Sequence, residues 1–281
     1  VQIMLDGKYK TSSPTTRSQS SSAKPLRSYS TLPVPATTRT DCMTAAAKRY
    51  KYLRRLFRFK QMDFEFAMWQ MIYLLIAPQR VYRDFQYRKQ TKSQYARDDP
   101  AFLVLMSFWL IFTSIVFSLV LHFSFSGFIL LTLYVIFVDF ITAGVIVATL
   151  FWFVINRYMR KNNCGDQDVE WGYAFDIHIN AFFPSLLILH MFQLIFDLLF
   201  NISHGSTWWI GLLFGNTCWL ISIFYYIYIT FLGYSSIPIL KNTNYLLVPS
   251  TILLIFYVLS ISLGWNINST MIEFYRNRAM Y

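Results

Sequence analysis

Charge is scarce in this chain. Only 14% of its 281 residues are charged, against about 25% in a typical soluble protein, while 55% are hydrophobic. So little polar surface cannot cover a water-soluble domain of this length, which argues against a soluble globular enzyme. Cysteine is rarer still. Cys42, Cys164 and Cys218 are an odd count without regular spacing, which rules out a disulfide framework or a four-cysteine zinc site. Four histidines are too few for a His-box diiron oxygenase. The chain also lacks HExxH, GxSxG, GxGxxG and the phosphate-binding GxxxxGK motif. No catalytic residue, metal ligand or cofactor is assigned, and the expectation is a protein that is not an enzyme.

What charge there is lies at one end. Residues 1–100 hold 19 of the 25 Lys and Arg, and residues 101–281 hold 6. Within the first third, half of the positions from 11 to 40 are Ser or Thr and none is acidic. Such a stretch buries too little apolar surface to fold, so residues 1–47 read as a disordered tail. No apolar run precedes residue 64, and no secretory signal peptide is expected.

Residues 48–60, KRYKYLRRLFRFK, are the first segment with helical periodicity. Lys48, Lys51, Arg54, Arg55 and Arg58 share one face, and Tyr50, Leu53, Leu56 and Phe57 the other. The basic face suits anionic lipid, and interleaved aromatics make RNA a second candidate partner. The apolar stretch at 64–78 is too short for a hydrocarbon core needing ~20 residues. It reads as an interfacial or re-entrant helix ending near Pro78, and residues 48–99 as basic cytosolic or interfacial helices.

Five longer apolar segments follow, at 101–123, 128–155, 179–200, 207–232 and 245–265. The fold class is therefore all-α, a polytopic membrane protein with five transmembrane helices in residues 100–276. Counting Lys and Arg near the span ends gives 23 on the N-terminal side and 2 on the other. The positive-inside rule then predicts a cytosolic N-terminus and a lumenal C-terminus, with 277–281 a lumenal tail. Two Asn-x-Ser/Thr sequons, at Asn201 and Asn268, fall on the lumenal side close to spans, and neither is expected to carry glycan.

Two groups of polar residues stand out. On the cytosolic side, Asp168, Glu170, Trp171 and Asp176 fall in a connection at 162–178. They can pair with the basic residues of 80–97 or form a docking surface for a cytosolic coat or exchange factor. Within the spans, Asp139, His190 and Asn216 lie at nearly one depth, about 14–16 Å from the lumenal ends at 1.5 Å per residue. A lone carboxylate at that depth needs a partner, so Asp139 is expected to meet His190 with Asn216 nearby. A GxxxG pair, Gly211 and Gly215, suggests close helix packing in the fourth span.

The strings RRLFRFKQMDFEFAMWQMIYLLIAPQRVYRDFQYRKQTKSQYARDDPAFLVL (54–105), DVEWGYAFDIHINAFFP (168–184), YYIYITFLGYSSIPILKNT (225–243) and SISLGWN (260–266) closely resemble the uncoordinated-fifty family. The resemblance covers residues 48–276. One departure is Tyr95, where the family motif has Trp. The resemblance implies a five-span protein of the Golgi and ER that supports trafficking and surface delivery of receptors of the nicotinic acetylcholine type. It also implies Arf guanine-nucleotide exchange factors as partners beside client receptor subunits and the lipid bilayer. RNA binding is attributed to vertebrate members, so a membrane-tethered RNA binder, with the inner nuclear membrane as a further location, stands as an alternative. A transporter or lipid-handling protein using the polar residues of spans two to four is the other. No catalytic residue transfers from the family.

Overall fold

The computed structural model describes residues 52, 54–56, 58–92, 94–162, 167–192, 194 and 208–280. The Ser/Thr-rich tail, Lys48, Lys51 and the sequon residue Asn201 lie outside the described residues. Among those described, every element is helical apart from an isolated bridge between Arg160 and Leu240.

Helix α1 (Phe64–Ile76) starts at Asp63, whose side chain accepts the Phe66 N–H at 2.9 Å. It buries Ala67, Met71 and Leu74 and exposes Met68, Trp69, Ile72 and Ile76. Apolar groups on its outward side fit a helix lying along a membrane surface. Pro78 ends the expected segment but does not open a loop. It takes the first position of α2 (Pro78–Lys92), where a missing N–H leaves no extra bond unmade.

Five helices long and apolar enough to cross a membrane follow: α3 (Ala101–Val120), α4 (Phe125–Met159), α5 (Trp171–Phe192), α6 (Trp209–Ser235) and α7 (Thr243–Ser262). The third begins eight residues before its expected start at 179. Asp176 and His178 fall in the expected connection and Asn180 in the expected span, and all three are buried helical residues with partners inside the bundle. Trp171 and Asp176 therefore belong to a span and not to a loop.

In lipid, apolar burial alone does little to drive helices together, so association depends on close approach and polar pairs. Both centre on α5, which packs against α4 and α6. A Cβ added at Gly144 of α4 would stand 2.8 Å from the His178 ring, and one at Gly233 of α6 would stand 2.9 Å from Ile177. Those two glycines set the interhelical spacing on either side of α5. Across the α5–α6 seam, the His178 Nδ1 and the Tyr226 hydroxyl are 2.8 Å apart, and Ser185 and Ser222 each donate to the other's carbonyl oxygen.

Three stretches widen to π-helix: Val135–Thr142 and Ile155–Met159 in α4, and Ile188–Phe192 at the end of α5. The last follows Pro184, which has no N–H to return to the preceding turn. At the end of α7, Gly264 takes φ 68°, the Trp265 N–H reaches the Ser260 carbonyl at 2.8 Å, and the Gly264 N–H reaches the Ile261 carbonyl at 3.0 Å. This left-handed cap turns the chain back into an eighth helix, α8 (Ile267–Met280). The sequence reading had ended the membrane domain at 276 and left a short tail. Instead, α8 lies against the first half of α4 and against α6.

Candidate functional site

The segment from Gln94 to Asp99 joins the N-terminal helices to the spans, and its polar groups converge on α5. Glu170, just before α5, accepts the backbone N–H groups of Tyr95 and Ala96 at 3.3 and 3.1 Å. Nearly two turns on, Asp176 accepts the Arg97 N–H at 2.6 Å. The Arg97 guanidinium lies 3.9 Å from the same carboxylate, donates to Asn180 and stacks over Phe102 at 4.2 Å. Both side chains of this ion pair are almost fully buried. Asp99 accepts the N–H of Asp63, which caps α1, and that of Ala101, which begins α3. Four of the five residues from Tyr95 to Asp99 thus tie α1, α3 and α5 into one joint. Burial, and next the Glu170 carboxylate beside it, push the Tyr95 phenol above its ordinary value.

The residues read as a docking loop divide among separate tasks. Asp168 pairs with Arg160 and is exposed. The Trp171 indole donates to Thr149 at 3.0 Å and stacks on Phe175. Glu170 and Asp176 hold the joint. Asp176 meets the basic residue Arg97, whereas Glu170 accepts the backbone N–H groups of Tyr95 and Ala96.

The basic face of 48–60 also divides. Arg54 and Arg58 are exposed. Arg55 had been grouped with them, yet it turns inward and donates to the Asp98 carbonyl at 3.0 Å. Leu56 packs against the core.

At the other end of the bundle, Asp139 and His190 line one cavity of about 200 Å³. The carboxylate of Asp139 accepts the Tyr275 hydroxyl at 3.2 Å, and His190 Nδ1 faces the Thr113 hydroxyl at 3.3 Å. Tyr275 comes from α8, so its part in the site was not seen from the sequence. The signal available was the spacing Met271, Ile272 and Tyr275, one apolar face of a helix, and all three line the cavity. Asn216 has a different task. It donates to Ser260 and to the Trp265 carbonyl and accepts the Ile267 N–H at 3.0 Å, which fastens the turn between α7 and α8. Among the described residues, no cluster of His, Cys, Asp or Glu could hold a metal ion.

These features define a multi-pass helical membrane protein whose N-terminal surface helices are locked to its third span. The UNC-50 family model matches residues 52–276, and the chain belongs to that family. It is similar to Protein unc-50 homolog A of Xenopus laevis, 59% identical over 237 residues that cover 84% of this chain and 90% of that one. The mouse homolog, from Mus musculus, is 58% identical over the same shares. Similarity to the Drosophila melanogaster homolog extends further, at 52% identity over 95% of this chain and 96% of that one. No solved structure matches.

Proposed function

We propose that the protein is a trafficking factor of Golgi and ER membranes, without catalytic activity, that supports transport and surface delivery of client receptor subunits of the nicotinic acetylcholine type. Its N-terminal third faces the cytosol in this reading, as the distribution of Lys and Arg requires. Arf guanine-nucleotide exchange factors are the partners on that face. Family membership supports the reading, and one structural observation gives it a physical form. The Arg97–Asp176 pair, the Glu170 contacts and the two bonds to Asp99 tie the segment between α1 and α3 to α5. An adaptor needs such a joint, because a cytosolic partner and a client held by the spans must be coupled through rigid contacts.

Three experiments test this. In cells depleted of their own family member, this chain should restore receptor delivery to the surface while total receptor stays constant. Its failure to do so, when present at normal abundance in the Golgi, refutes the trafficking role. Proximity labelling from the N-terminus should enrich Arf exchange factors, whereas a set dominated by ribonucleoproteins would replace this reading with the RNA-binding one. Protease added to sealed microsomes should remove an N-terminal tag and spare a C-terminal one.

A further inference from the structure

The cavity beneath α8 holds a carboxylate that its own neighbours leave incompletely matched. Asp139 has one hydrogen bond, from Tyr275, and no ion pair among the described residues. The cation whose charge reaches it is Arg278, and that guanidinium lies over the Tyr134 and Phe274 rings at 4.0 and 4.3 Å. A single phenol is a weak counterpart for a carboxylate within a helix bundle, where a charge is ordinarily paired.

The rest of the wall is mostly aromatic and aliphatic, with Ser185 and Asn268 as further polar groups. Phe117, Phe182, Trp219 and Tyr275 all face the space, and their rings come from four different helices. Aromatic faces attract organic cations, most strongly where water is excluded. His190 adds an imidazole to the same wall. The backbone is also unusual here. Asp139 and His190 each sit in a π-helical stretch, on α4 and α5, and such stretches are rare and concentrate at functional sites. Two of them bring titratable groups to one cavity.

We infer that this cavity is a binding site for an amphipathic organic amine, with the ammonium against Asp139 and the apolar body among the surrounding rings. The carboxylate disfavours an anionic head. An uncharged hydroxyl would satisfy hydrogen bonds but leave the charge unmatched. Size limits the buried part of the ligand. A dry cavity of about 150 Å³ takes benzene, so about 200 Å³ accepts a body somewhat larger than one ring or the equivalent length of chain. Helix α8 supplies one wall, so occupancy would brace α8 against α4 and α5.

The test uses the full-length protein in lipid nanodiscs and three photoreactive probes with the same short alkyl body and an amine, alcohol or carboxylate head. The amine should label peptides of α5 and α8 at least tenfold more than either other probe, and excess unlabelled alkylamine should compete. Asp139→Asn should abolish that preference, and Leu189→Trp, which fills the cavity and keeps the carboxylate, should lower labelling by all three heads. Equal labelling by the three heads in the wild-type protein overturns the inference, as does an amine preference that survives Asp139→Asn in protein of normal thermal stability. Should both variants fail to accumulate, the wild-type comparison decides alone. A preference below threefold refutes the site. Stronger labelling by the alcohol assigns the cavity to a neutral lipid and refutes the amine.

Discussion

The two ends of the bundle treat a carboxylate in opposite ways, one buried and one half-buried. Asp176 accepts a backbone N–H and faces a guanidinium that is itself stacked on a ring and bonded to Asn180. Asp139 accepts one phenol hydroxyl at the wall of an open cavity. The first arrangement gives its carboxylate an opposite charge, although it too borders a cavity, of about 320 Å³, lined by Arg97, Asp98 and Asp99. The second keeps an unmatched charge beside a cavity, which is where ligand chemistry can occur. Proximity of acidic, basic and aromatic groups is common to both ends, so the distinction lies in how completely each charge is satisfied.

The comparison can be broken first at Arg97. Arg97→Met should leave Asp176 buried without a cation and cost about 3–5 kcal/mol. A large fall in melting temperature and abundance of the detergent-solubilised protein would register it. The double variant Arg97→Met with Asp176→Leu should recover part of the loss, because neither charge then remains buried alone. If Arg97→Met melts like the wild type, the joint is not structural.

A smaller effect is expected at the close contacts of α5. Gly233→Ala places a methyl group 2.9 Å from Ile177, and overpacking of this kind costs about 1–3 kcal/mol. The paired substitution Gly233→Ala with Ile177→Val should be less destabilising than the sum of the two. Simple additivity would mean that the side chains do not meet.

Gly264→Ala should cost about 1–2 kcal/mol, because an L side chain is strained at φ 68°. Its signature should be local. Amides of α8 should exchange faster while those of α5 keep their protection. Uniform loss of protection would show that α8 and the bundle unfold together.

The smallest change is expected at Asp139. Asp139→Asn keeps an acceptor for Tyr275, so the loss should be no more than the net worth of one hydrogen bond, about 0.5–1.5 kcal/mol. Thermal unfolding without ligand should therefore barely separate it from the wild type. A loss matching that of Arg97→Met would mean that the two ends do not differ, and the contrast drawn above would fail.

Much of the architecture was legible from residue types. Long apolar runs identified five spans, since a bilayer demands length and hydrophobicity whatever the packing. The start of the third span was not legible. Hydropathy scores each residue alone, and Asp176, His178 and Asn180 are tolerable in a helix only because Arg97, Tyr226 and their neighbours meet them. Helix α8 was missed for a related reason. Its sequence is of mixed polarity, and its helical character becomes evident once Met271, Ile272 and Tyr275 have a cavity to face.

The sequence by itself therefore determined the number of spans, the basic N-terminal third and the family. Each follows from local composition, charge or a contiguous motif. Tertiary structure alone decided which acid meets which base. The Asp139 carboxylate meets a tyrosine 136 residues away, and Asn216 leaves the intramembrane layer to fasten the α7–α8 turn. Partners so distant in the chain leave no periodic trace, because a hydrogen bond depends on geometry within about 3 Å and the order of residues along the chain does not encode that distance.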